Sequence, residues 1–307
     1  MLVHMAVGDA LGAGFEFVTN DIVQRYGADL EYRQHPKWKL PLGSYTDDTQ
    51  MAIAIAELML DKNFGTWTMF DVASYFMKVF MRDPRESYAQ GFYKVLKRLK
   101  EEAEGMHVFP DTEAHRLNIA AIQFLSTVRP HSNKSGGAMR AAPIGLLPDP
   151  RNVRDLAMMQ ASLTHATATG MQAAAAAALI THYFYHRVGP KEGLGAWLSL
   201  KLRNDNWKTP WTRRVGSEGY QHVRAAITAL MGGATLSEVL IGCIQFGGDV
   251  DTVAAIAMPA AYWSDELEQD LPDRLFNELE NGEYGHDYLR DLSRNLQLAH
   301  PRRKPLP

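Results

Sequence analysis

The chain has 307 residues, 46% apolar and 22% charged, with 32 basic residues against 35 acidic ones and a formal net charge of −3. That length allows one large domain or two small ones around a sizeable core, and the even charge balance argues against electrostatic nucleic-acid binding. A single cysteine, Cys243, excludes an internal disulfide and every multi-cysteine metal site, and no apolar run reaches the ~18 residues of a membrane span.

The N-terminal stretch Met1 to Ala13 is apolar, but it lacks a charged leader and is interrupted by Asp9, so a signal peptide is not expected and cytoplasm is the expected compartment. Within Gly8 to Glu16, Gly12 and Gly14 imitate the start of a dinucleotide fingerprint. Phe17 stands where its third glycine belongs and no strand precedes it, so that reading is rejected in favour of close helix packing. The segment 29–40 alternates only partly, and Pro36 with its charged neighbours demotes it to loop or edge. Periodicity predicts helices over 49–60, 68–81, 86–104, 167–186, 217–231 and 251–263. The alanine run Ala173 to Ala178 is poor strand and good helix. The helices starting near Thr49 and Thr252 are apolar on nearly every face, which places them in the middle of a large protein. Asp265 to Glu268 reads as a solvated helix face, and Arg302, Arg303 and Lys304 as part of a solvated basic tail, 301–307. With no internal repeat and no linker, 1–300 is expected to form one compact all-α domain.

Two acidic clusters stand at the starts of the two interior helices: Thr46-Asp47-Asp48-Thr49 and Gly247-Gly248-Asp249-Val250-Asp251-Thr252. One aspartate at a helix start is an ordinary cap, because free N–H groups and the dipole favour negative charge there. If both helices share a core, however, four carboxylates converge, and their repulsion calls for a counter-charge. The ligands on offer are carboxylate and hydroxyl oxygens, which select hard cations, two of Mg²⁺ or Mn²⁺, over zinc. From the residues alone, capping and metal ligation both stay open. Ser132 to Arg140 contains Gly136-Gly137, which suits either a phosphate-cradling loop or a plain turn, and it lacks the GxxxxGK[ST] pattern of a P-loop. Glu16 is an acid on an apolar stretch, a solvated loop carboxylate unless the site uses it. His165, before the alanine-rich helix, is structural unless a ligand lies there. No GxSxG, HExxH or CxxC motif is present.

Gly8 to Glu16, Thr46 to Thr49, Ser135 to Arg140, Thr164-His165 and Gly247 to Thr252 together resemble, in order, the motifs of the ADP-ribosylglycohydrolase family, over residues 5 to about 262. The resemblance implies a compact many-helix domain that removes ADP-ribose from a modified acceptor, with ADP-ribosylarginine on protein as the first expectation. It implies that Thr46, Asp47, Asp48, Asp249, Asp251 and Thr252 ligate two divalent cations, Mg²⁺ or Mn²⁺. Asp47 or Asp48 would be the base for the attacking water, with Glu16, a flexible acidic residue near the metals that gates or positions the substrate, as a second candidate. Ser135, Gly136, Gly137, Met139 and His165 would bind the nucleotide part of the substrate. The expected partner is an ADP-ribosylated protein or a small ADP-ribose conjugate, without membrane or nucleic acid. Two departures stand out: Ser135-Gly136 replaces a frequent Asn-Gly, and Val250, expected to point away from the ions, replaces a small or polar residue. The chain also starts inside what resembles the family's first helix, so a short preceding piece is expected.

Two rival functions differ in class. A non-hydrolytic ADP-ribose-binding or transferase-blocking protein would be expected to have lost ligands, and all six are intact. An isoprenoid-type enzyme needs an acid where this chain has Met51.

Overall fold

The computed structural model describes residues 1–106 and 112–302. In chain order its helices are α1 (Leu2–Ala13), α2 (Asn20–Tyr26), α3 (Asp47–Asp61), α4 (Met69–Arg82), α5 (Gln90–Gly105), α6 (Glu113–Thr127), α7 (Gly136–Met139), α8 (Pro150–Ser162), α9 (Ala168–Tyr185), α10 (Leu194–Leu202), α11 (Gly219–Gly232), α12 (Leu236–Gln245), α13 (Val250–Ala261), α14 (Asp273–Asn277) and α15 (His286–Ala299). No sheet forms among the described residues, and only isolated bridges join loops. The expected all-α fold is found, and the segment 29–40 is loop.

The centre is built from α1, α3, α9 and α13, which are buried along most of their lengths. Small residues bring them together. Opposite Gly12, a Cβ would lie 2.4 Å from Asp251 Cα, and opposite Gly8, 3.0 Å from the Ala254 carbonyl oxygen. These two glycines, one turn apart on α1, let it lie almost backbone to backbone on α13. The close packing expected of Gly12 thus also brings Asp251 against α1. Outer helices such as α4 and α15 show an apolar stripe to the core, with Leu289, Leu292 and Leu296 buried on α15.

Three expectations need correction. The helix expected over 86–104 begins at Gln90, because Arg85 pairs with Glu280 at 2.5 Å and Tyr88 donates to Gln50 Oε1 at 2.6 Å, which ties the preceding residues into a loop. Asp265 to Glu268 is not a helix face but a loop, in which Asp265 pairs with Arg187 at 2.6 Å and Leu267 is buried. Arg302 is half-buried rather than fully solvated: it donates to the Trp263 carbonyl at 3.0 Å and lies 4.6 Å over the Trp263 ring. The rest of the basic tail, including Arg303 and Lys304, lies outside the described residues.

Candidate metal centre

Thr46 caps α3, its hydroxyl accepting the Asp48 N–H at 3.3 Å. Behind the cap stands Asp9 of α1, fully buried. Its carboxylate accepts the Thr46 N–H (3.0 Å) and hydroxyl (2.8 Å) and the Thr49 N–H (3.0 Å) and hydroxyl (2.6 Å). Burial pushes the Asp9 carboxyl up, and these bonds oppose it. The Asp47 N–H donates to Ser87 Oγ at 2.9 Å, so the turn is held from both sides. Its remaining acceptors, the Asp47 and Asp48 carboxylates and one lone pair of Thr46, are left for other partners.

The second turn is made by backbone geometry. Gly247 and Gly248 have φ of +63° and +95°, and a Cβ at Gly248 would stand 1.8 Å from the Val215 carbonyl oxygen. Val215 accepts from and donates to this turn, and the Phe17 N–H donates to the Gly248 carbonyl at 2.8 Å. Asp249 Oδ2 lies 2.9 Å from Nε2 of His222, a fully buried residue of α11.

The two turns meet. Carboxylate oxygens of Glu16, Asp249 and Asp251 lie within 4.8 Å of one another. Burial, with the charges of Asp9, Asp47 and Asp249, pushes the Asp48 carboxyl well up; burial, with Glu16, Asp249 and Asp48, does the same to Asp251. Burial and the Asp9 charge raise Asp47 to about 7. Asp249 differs: burial pushes it up, but His222, together with hydrogen bonds from Asp251 and Thr252, outweighs that and holds it below the usual carboxylate range. Asp48 Oδ2 and Asp251 Oδ1 are buried with no hydrogen-bond partner among the described residues. Buried acceptors without donors are costly, and an all-oxygen set of this charge fits a hard divalent cation.

The Gly-rich loop is held separately. Arg140, fully buried, donates to Gln160 Oε1 at 2.6 Å, and Gln160 Nε2 donates to the Gly137 carbonyl at 2.7 Å. Burial lowers the Arg140 guanidinium to about 9. Arg140 Nη2 also donates to Thr164 Oγ1 at 2.9 Å, and the Thr164 hydroxyl is hydrogen-bonded to His165 Nδ1, 2.6 Å away. Burial, with Arg140 and Lys134 nearby, lowers His165 to about 3, so its ring is neutral. The Nε2 edge of the ring faces Gly136, where a Cβ would lie 3.2 Å from Nε2. Met139, by contrast, packs in the hydrophobic core.

The structure brings together Glu16, Asp48, Asp249, Asp251 and Thr252, with Asp47 and Thr46 at the edge. It adds as supports His222 and His35, the latter 2.8 Å from Glu16 Oε2, and gives Asp9 and Arg140, motif residues without an assigned role in the sequence, a supporting role as well. Asp9 had a signal, an acid inside an apolar helix; His222 and His35 had none. Surface clefts elsewhere, one lined by Phe64 and His300 and one by Thr228 and Phe246, touch none of these residues.

A family model described as ADP-ribosylglycohydrolase matches residues 1–305. The chain belongs to the ADP-ribosylglycohydrolase family. It is 25% identical over 264 residues to the ADP-ribosyl-(dinitrogen reductase) glycohydrolase of Rhodospirillum rubrum, covering 82% of this chain and 80% of that one. It is 31% identical over 186 residues to ADP-ribosylhydrolase ARH3 of Xenopus tropicalis, covering 59% of this chain and 48% of that protein's length. A solved ADP-ribosylglycohydrolase-related protein complex shares the fold, with a TM-score of 0.68 and 22% identity over 97% of this chain and 96% of that one. Family membership makes the chain an enzyme that hydrolyses ADP-ribose linkages. No described helix is long and apolar enough to cross a membrane.

Proposed function

We propose that this enzyme releases ADP-ribose from modified arginine side chains of a protein and depends on two divalent cations, Mg²⁺ or Mn²⁺. The observation that carries the reading is the pair of unpartnered buried oxygens, Asp48 Oδ2 and Asp251 Oδ1, in a cluster of converging carboxylates. Thr46, Asp47, Asp48, Asp249, Asp251 and Thr252 would hold the ions. Bound there, such ions polarise substrate hydroxyls and make water a better nucleophile at neutral pH. Asp47 or Asp48 takes the proton of the attacking water, with Glu16 as the second candidate. The carboxylates also stabilise positive charge developing on the ribose as its bond to the acceptor breaks. The amides of Ser135, Gly136 and Gly137 and the ring of His165 would hold the diphosphate, and Met139 anchors their loop in the core.

Charge supports the arginine acceptor. Glu16, Asp47, Asp48, Asp249 and Asp251 carry one negative charge more than two divalent cations neutralise, which favours a guanidinium over a neutral hydroxyl acceptor. The long alignment with the Rhodospirillum rubrum enzyme supports a modified protein as substrate. The test is incubation with ADP-ribosylated arginine and serine peptides, followed by mass spectrometry. The arginine peptide should lose ADP-ribose, EDTA should stop the reaction, and Mn²⁺ should restore it. Asp48→Asn and Asp249→Asn should each cost about 100-fold or more. Unchanged release by both variants would reject the mechanism, and retained ADP-ribose binding with no wild-type turnover would favour a binding protein.

A further inference from the structure

Resting on that metal-dependent reading, we propose that His35 is the positioning residue of Glu16. From the loop after α2 it fixes this carboxylate beside Asp249 and Asp251, and so sets the cluster's affinity for divalent cations. The protonation pattern follows from the backbone. His35 Nδ1 lies 3.0 Å from the N–H of Lys37 and 3.0 Å from that of Trp38, and both can only donate, so Nδ1 carries the lone pair. The ring proton is therefore on Nε2 and is donated to Glu16 Oε2 at 2.8 Å. The His35 side chain is 3% exposed and that of Glu16 24%, so the donor is dry and pre-set while the acceptor faces the site. No other hydrogen bond to the Glu16 carboxylate is found among the described residues.

The backbone on either side of Glu16 is already fixed. Gly14 lies so close to the loop that a Cβ there would be 2.8 Å from Arg33 Cβ and 2.9 Å from the Arg33 carbonyl oxygen. Phe17 adopts φ of +52°, a left-handed conformation that is unfavourable for an aromatic residue, and its N–H is bonded to Gly248. Glu16 thus hangs between the loop and the second aspartate turn, and the choice its side chain keeps is its rotamer. His35 makes that choice.

Two isosteric substitutions separate this role from a structural one. In His35→Asn the amide oxygen can replace Nδ1 toward Lys37 and Trp38, but nothing reaches Glu16. In His35→Gln the amide nitrogen can replace Nε2 toward Glu16, while the backbone acceptor is lost. Mn²⁺ affinity, measured by calorimetry and by electron paramagnetic resonance, should fall about 10- to 100-fold in His35→Asn and stay near wild type in His35→Gln. The turnover number should fall with it in His35→Asn, with the thermal midpoint unchanged. Adding Glu16→Gln to His35→Asn should cost nothing more. Wild-type Mn²⁺ affinity in His35→Asn, or equal damage in both variants, would overturn the assignment. Asp251→Asn is the control: if it too binds Mn²⁺ like wild type, the metal reading itself falls, whereas loss there with none in His35→Asn removes only the role of His35.

Discussion

The two aspartate turns present similar side chains at the starts of two buried helices, yet they are held in different ways. Around Thr46 the support is polar: Asp9 collects four hydrogen bonds from two threonines, and Ser87 takes the next N–H. Around Asp249 the support is steric: two left-handed glycines thread the chain between Val215 and Phe17, and α13 carries no side-chain cap bond. A polar frame can be weakened by degrees as single donors or acceptors are removed. A steric frame has no partial version, because a methyl group either fits or does not.

That contrast sets an order of effects. Gly248→Ala should be the most damaging, at least ~3 kcal/mol of stability together with loss of Mn²⁺ binding, because the new Cβ meets a backbone carbonyl. A denaturant midpoint near wild type would show that the Val215 strap can yield. Asp9→Asn should follow, at about 2–4 kcal/mol by thermal unfolding, since an amide cannot accept all four donors and turns its own donor toward them. Gly247→Ala should cost ~1–2 kcal/mol, mostly conformational, because its nearest neighbour is the end of the Arg214 side chain, which can move. Thr46→Ala should be mildest at ~1 kcal/mol, the loss of one cap. Should Gly247→Ala equal Gly248→Ala, the steric explanation of the second turn would give way to a purely conformational one.

Much of the fold is legible in the sequence. The alanine run of α9 and the apolar α3 and α13 lie within a few residues of where periodicity puts them. The helices α1, α2, α7 and α14 escape that reading, as do α6, α8, α10, α12 and α15, although Thr112, Asp149 and Thr235 cap three of them and α15 has a regular leucine stripe. In α6, α8 and α15 polar residues interrupt the apolar positions, so no continuous apolar run marks them, while α10 and α12 are short. At the site, the oxygen-bearing residues of both turns can be named from sequence, and Glu16 stands out. Asp9 is in view as a motif residue but reads only as an interruption of an apolar stretch. The supports His35, His222 and Arg140 cannot be found by spacing, because each acts on a segment distant in sequence or on a loop without periodicity.

By itself the sequence determined that α3, α9 and α13 are helices, that α3 and α13 are interior, and which oxygens stand at the starts of those two. Those outcomes follow from propensity, apolar pattern and caps, all of them local along the chain. Only the tertiary structure decided that Asp9 serves Thr46 and Thr49, that His222 faces Asp249 and that His35 reaches Glu16. A buried polar group takes its partner from whichever segment packs against it, and here those segments are α3 against α1, α11 against α13 and the loop after α2 against Gly14.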